Sequence, residues 1–161
     1  MRLIERKLIL ILAILAGLGE GVAFAAEDRT EEALRVALFD DEGVLDSGLI
    51  RVFEQLNDAR DVEPVRLNAE GVRAGGLGEF DVAVFSGGSG GRQSGALGEA
   101  GRRAVREFVE EGGGYVGICA GAYLACSGFD WGVGVLNART VSPQWRRGKA
   151  ESRWRFSREG R

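Results

Sequence analysis

From Arg35 onward, short apolar runs alternate with longer stretches in which apolar residues recur every three or four positions. Val36-Ala37-Leu38-Phe39 is a continuous apolar run ending in Asp40-Asp41-Glu42-Gly43, the pattern of a buried strand entering an acidic turn. Leu49, Ile50, Phe53 and Leu56 then form one stripe at helical spacing, with Ser47 suited to the N-cap. Val62 to Leu67 reads as a second strand, and Pro64 puts it at a sheet edge, because proline has no N–H for a ladder. Gly71 to Gly78 is a glycine-rich connection, Asp81 to Phe85 a third strand, and Ser86 to Gly91 a glycine-rich turn after it. A long amphipathic helix is expected over Ala96 to Glu111, with Leu97, Ala104, Val105, Phe108 and Val109 facing inward. Gly112-Gly113-Gly114 stops it. Tyr115 to Ile118 is the fourth strand, Ala120 to Cys126 its helix, and Gly134 to Val141 a further strand closed by Ser142-Pro143. Strands alternating with helices imply βαβ units, right-handed crossovers and an α/β fold on a mostly parallel sheet.

The first 25 residues follow a different pattern. Arg2, Arg6 and Lys7 precede an apolar stretch from Leu8 to Leu18, and Ala23-Phe24-Ala25 supplies a small-x-small cleavage site. This reads as an export signal cleaved after Ala25, the alternative being an uncleaved N-terminal anchor. Export places the mature chain in the periplasm or outside the cell, with the membrane met only through that segment. Removing 25 residues from 161 leaves 136, enough for one domain after a linker over 26–34. The formal net charge of −3 argues against nucleic-acid binding, which calls for a strongly basic balance.

The chain has two cysteines and no histidine. If Cys119 heads a helix containing Cys126, their separation along the axis is ~10.5 Å, too far for a disulfide. Two free thiols are expected, Cys126 as a structural one. Gly117-x-Cys119-x-Gly121 has the small-x-nucleophile-x-small pattern of a nucleophile elbow, a strand-to-helix turn tight enough to expose one side chain above a sheet. A helix N-terminus favours negative charge, and thiolate is the reactive form of cysteine. The same residues also fit a small apolar side chain ending a buried strand.

In parallel sheets, ligands bind beyond the carboxyl ends of the strands. The turns after strands one, three and four open there, carrying Asp41 and Glu42, then Gly87 and Gly88, then Cys119. The N–H groups of Gly87, Gly88 and Ala120 are candidate oxyanion donors, Asp41 and Glu42 candidate supports for the cysteine, and Arg92 a candidate partner for a bound anion. Solvated acidic turns and plain glycine loops have the same composition. Ser86 to Gly91 lacks the lysine and spacing of a P-loop, and no cofactor or metal is implied.

Val82-Ala83-Val84-Phe85-Ser86-Gly87-Gly88, the stretch from Gly112 to Ala125 and Ser142-Pro143-Gln144-Trp145-Arg146-Arg147-Gly148 together resemble the biotin-protein-ligase N-terminal-domain family, part of the class I glutamine-amidotransferase-like superfamily. The resemblance spans about residues 35–150, and its Trp-Arg-Arg-Gly segment narrows it to bacterial secreted relatives. It implies a flavodoxin-like three-layer sandwich, Cys119 at the nucleophile position and Gly88 near an oxyanion hole. Amidotransferases of that superfamily complete their site with a late histidine and carboxylate, and this sequence has no histidine. The resemblance also implies further strands after about Ala150, so the domain is expected to be truncated there, with 151–161 a poorly ordered basic tail. Two functions follow. One is an exported cysteine-dependent hydrolase or amidotransferase-like protein. The other is a binding protein that keeps the pocket for a small carboxylate or amide without turnover. A redox-sensing Cys119 is a third reading. The sequence names no substrate, partner or oligomeric state.

Overall fold

The computed structural model describes residues 33–140. The export signal, the motif from Ser142 to Gly148 and the basic tail lie outside the described residues. Four parallel strands form one sheet: β1 (Leu34–Phe39), β2 (Val62–Leu67), β3 (Val82–Phe85) and β4 (Gly114–Gly117), in the order β2-β1-β3-β4. The helices are α1 (Asp46–Asn57), α2 (Ala69–Arg73), α3 (Gly90–Glu110) and α4 (Ala120–Ala125), with a 3₁₀ turn at Gly76–Glu79. Helices cover both faces of the sheet, giving the three layers of a flavodoxin-like α/β fold.

The alternation of side chains along β1 and β3 divides the core in two. Val36, Leu38 and Val84 face α1, where Leu49 is 2% exposed and Val52, Phe53 and Leu56 pack beside it. Ala37, Phe39, Ala83 and Phe85 face the other way, against Val72 of α2, Leu97, Val105 and Phe108 of α3 and Leu124 of α4. Leu38, Leu97 and Leu124 are fully buried at 0% exposure, each burial worth roughly 1.5–3 kcal/mol. On this second face Phe39, Phe85 and Tyr115 stack across three strands, with centroids 5.0 and 5.1 Å apart.

Strand β2 lies at an edge, so Pro64 interrupts no second ladder. Three expectations are corrected. Ser47 does not cap α1: the helix starts at Asp46 after Leu45, with no side-chain cap. The long helix begins at Gly90, capped by the Ser89 side chain, and bends at Gly98 (φ 61°, ψ −176°). It therefore takes in the end of the supposed glycine loop, since Gly90 and Gly91 sit in its first turn behind a good N-cap. Finally, residues 134–140 form no strand. Gly134 has a φ of +85°, and Leu136 pairs with the loop after α4, its N–H donating to Ala125 O at 2.9 Å and its carbonyl accepting from Ser127 N–H at 2.9 Å. These bonds satisfy the backbone beside α4 and leave only an isolated parallel bridge between Cys126 and Leu136.

Candidate functional site

Strand order reverses between β1 and β3, where one connection leads out to β2 and the other toward β4. Such a switch point leaves a crevice at the carboxyl ends of the strands. The turns after β1 and β3 are tied together there. Leu45 N–H donates to Gly87 O at 3.0 Å, and Ser89 N–H donates to Gly43 O at 2.8 Å. These two bonds flank an antiparallel bridge between Val44 and Gly88. Gly88 has a φ of +142°, and a Cβ there would lie 2.0 Å from Gly43 O. Only glycine permits both that conformation and that approach. The bridge uses Gly87 O and Ser89 N–H, so the Gly88 N–H is not consumed by it.

Cys119 stands in the turn between β4 and α4, exposed, with φ 53° and ψ −106°. A side-chain-bearing residue rarely takes that conformation. The surroundings impose it. A Cβ at Gly117 would sit 2.6 Å from Gly121 O, and one at Gly121 would sit 2.0 Å from Phe85 O. Absence of both side chains lets α4 press onto the ends of β3 and β4. Ile118 N–H donates to Phe85 O at 2.9 Å, carrying the chain one residue past β4. The Tyr115 hydroxyl donates to Gly121 O at 2.8 Å, linking the aromatic stack to the first turn of the helix. Burial, with a smaller contribution from nearby Cys126, raises the Tyr115 phenol well above its ordinary range, so it stays a neutral donor.

The structure brings Gly87 against the base of the Cys119 side chain: a Cβ there would lie 3.6 Å from Cys119 Cβ. Ala120 is the first residue of α4, and its N–H is among those that no intrahelical acceptor reaches. Cys119, Gly87 and the start of α4 thus adjoin, with Gly88 on the next residue. The acidic turn is placed otherwise. Asp41 accepts from its neighbour Glu42 N–H at 2.6 Å and from Ala69 N–H at 2.9 Å, bonds that hold its carboxyl below the usual carboxylate range. Its role is to fasten β1 to the start of α2. Glu42 pairs with Arg92, accepting from Nη2 at 2.9 Å and Nε at 3.2 Å. Among the described residues, neither carboxylate hydrogen-bonds the Cys119 thiol. Asp41, Glu42, Gly88, Ser89 and Arg92 instead line an open groove of about 420 Å³ beside the bridge.

Cys126 is free and buried, its thiol donating to Ala122 O at 3.3 Å inside the helix, while Cys119 is free and exposed. Among the described residues no group of three or more Cys, Asp or Glu side chains converges as a metal site would require. The pattern reading passed over Gln93, which is fully buried at 0% exposure and donates from Nε2 to Ser86 O at 3.0 Å and Gly43 O at 3.4 Å. Its one sequence signal was a polar residue on the face of α3 that also carries Leu97, Gly101, Val105 and Phe108.

No curated protein matches the chain. Residues 78–145 match the family described as biotin-protein ligase, N terminal, so the stretch that builds β3, the Gly87-Gly88 turn, β4 and the cysteine turn is similar to that family, consistent with an amidotransferase-like fold.

Proposed function

We propose that this is an exported, amidotransferase-like domain that takes a small carbonyl or amide compound at Cys119. The observation that carries the reading is the backbone of that residue: an exposed cysteine held at φ 53°, ψ −106° where strand turns into helix. Strain of this kind, about 1–3 kcal/mol, persists only where the surrounding packing over-determines it, and it clusters at functional sites. The family match across residues 78–145 supports the same assignment. Export rests on the basic, apolar and small-residue order of the first 25 residues.

The chemistry is nucleophilic addition. The Cys119 thiol gives its proton to solvent, sulfur bonds to the ligand's carbonyl carbon, and the C=O electron pair moves onto oxygen. The N–H groups of Gly88 and Ala120 stabilise the oxyanion as neutral preorganised donors. Expulsion of an amine would then need a proton donor, the task that an adjacent base performs in thiol-dependent acyl transfer. This sequence contains no histidine, Asp41 is committed to backbone N–H groups and Glu42 to Arg92. Reversible capture without turnover is therefore the function proposed for the chain as it stands.

Iodoacetamide labelling at pH 7, read by mass spectrometry of each cysteine peptide, tests it. Cys119 is expected to label several-fold faster than a free thiol while buried Cys126 stays unmodified in the folded protein. Labelling of Cys119 no faster than a small-molecule thiol removes the nucleophile assignment.

A further inference from the structure

A buried amide with one idle end lies against the Gly87-Gly88 turn. Gln93 is 0% exposed, and its Nε2 donates to the carbonyls of Ser86 and Gly43 at 3.0 and 3.4 Å. Because both neighbours are carbonyls, only the NH₂ end of the amide can face them. Its Oε1, and the Ser86 Oγ close by in sequence to the same turn, are buried without a hydrogen-bond partner among the described residues. Leaving a buried acceptor unpaired forfeits its hydration with nothing in return. An apolar residue of similar size would avoid that penalty, and every other large buried side chain of α3 is apolar: Leu97, Val105 and Phe108. The reason for an amide at this position lies in what its donor end holds.

What it holds is the frame of the Gly87-Gly88 turn. Ser86 immediately precedes the two glycines. Gly43 O is the atom that a Cβ on Gly88 would strike at 2.0 Å, and it also accepts from Ser89 N–H at 2.8 Å. A Cβ at Gly43 would fall 2.5 Å from Gln93 N, so the turn after β1 rests on α3 at this residue. One side chain on one helix thus grips the residue before the glycine pair and the residue packed against it.

We propose that Gln93 is a positioning residue: by donating to Ser86 O and Gly43 O it sets the Gly87-Gly88 turn so that the Gly88 N–H meets the ligand oxygen. This rests on the carbonyl-capture reading above. It touches neither thiol nor ligand.

The test uses two probes of one thiol. Iodoacetamide alkylates sulfur by displacement and develops no oxyanion, whereas acetamidoacetaldehyde adds to sulfur and places negative charge on its former carbonyl oxygen. The readout is the aldehyde concentration that halves the rate of Cys119 alkylation. Gln93→Met is expected to raise that concentration about ten-fold or more, as for a misaligned oxyanion donor, while changing the alkylation rate without aldehyde less than about two-fold. Leu97→Ala, on the same helix and equally buried, is expected to lower stability and leave the half-protection concentration unchanged. Equal protection of Gln93→Met and wild type overturns the proposal, as does an equal shift in Leu97→Ala. Should Gln93→Met fail to fold, wild-type NMR decides. Aldehyde addition is expected to move the Gly88 amide and the Gln93 side-chain NH₂ resonances together, and a Gly88 shift with Gln93 unmoved overturns it. Failure of the aldehyde to protect wild-type Cys119 at all removes the capture reading itself, a different result from either.

Discussion

Replacing Cys119 by glycine should make the domain more stable than replacing it by alanine, the reverse of the ordering at most sites. Alanine keeps the Cβ and with it the unfavourable contacts of φ 53°, ψ −106°, which lies well away from the left-handed well near ψ +47°. Strain of about 1–3 kcal/mol is released only when the Cβ goes. Against this stands the greater freedom of glycine in the unfolded chain, about 0.5–1 kcal/mol. Cys119 is exposed, so neither change forfeits much buried area. The balance favours glycine over alanine by about 1 kcal/mol, which corresponds to roughly 5 °C in Tm for a domain of this size. Urea unfolding followed by circular dichroism, with Tm from a thermal scan, measures the difference directly. If the alanine variant is as stable as the glycine variant, or more so, the elbow holds no strain and the main argument for a functional Cys119 is lost.

Gly121→Ala should destabilise by about 3 kcal/mol or more, because its Cβ would meet a main-chain oxygen, Phe85 O, at 2.0 Å and no rotamer relieves that overlap. Gly95→Ala, with nothing within 4 Å of its Cβ in the same protein, should be neutral or stabilising by up to about 1 kcal/mol, and parallel urea titrations compare the two. Tyr115 stays protonated in the fold because burial raises its pKa, so its contribution is complete below the unfolded phenol's value near 10 and is lost as pH rises beyond it. Urea midpoints between about pH 9 and 11 should fall for wild type and stay flatter in Tyr115→Phe, which in turn loses about 1 kcal/mol at neutral pH with the bond to Gly121 O. Asp41 carries the opposite sign: its lowered pKa adds stability above about pH 4 that disappears as pH falls. Asp41→Asn should flatten the acid side of the stability profile, and an unchanged acid limb would show that the bonds from Glu42 and Ala69 N–H contribute nothing.

The fold class was legible because hydrophobic period is a local property. Four strands, at Leu34–Phe39, Val62–Leu67, Val82–Phe85 and Gly114–Gly117, lie within two residues of those the pattern places, three on short apolar runs and the second with Glu63 and Arg66 set among Val62, Val65 and Leu67, and Pro64 announced the edge strand. The apolar run at Val135 and Leu136 misled for a physical reason. A strand exists only if a neighbour accepts its ladder, and here the end of α4 takes those bonds first. The start of α3 was obscured because Gly90, Gly91 and Gly95 are poor helix formers individually, and the Ser89 cap together with burial against the sheet outweighs their propensity.

For the site, spacing alone determined that Cys119 occupies a strand-to-helix turn between small residues and that Gly87 and Gly88 follow the neighbouring strand. The relation among side chains was decided by packing. Asp41 and Glu42 turn to Ala69 N–H and Arg92, groups brought near by the course of α2 and α3 and distant in the chain. Gln93 acquires its meaning only when α3 crosses beneath two turns separated from each other by more than forty residues of sequence. Periodicity records which residues are buried, since burial repeats along an element. The direction of a hydrogen bond between elements depends on how they cross, and no local pattern carries that information.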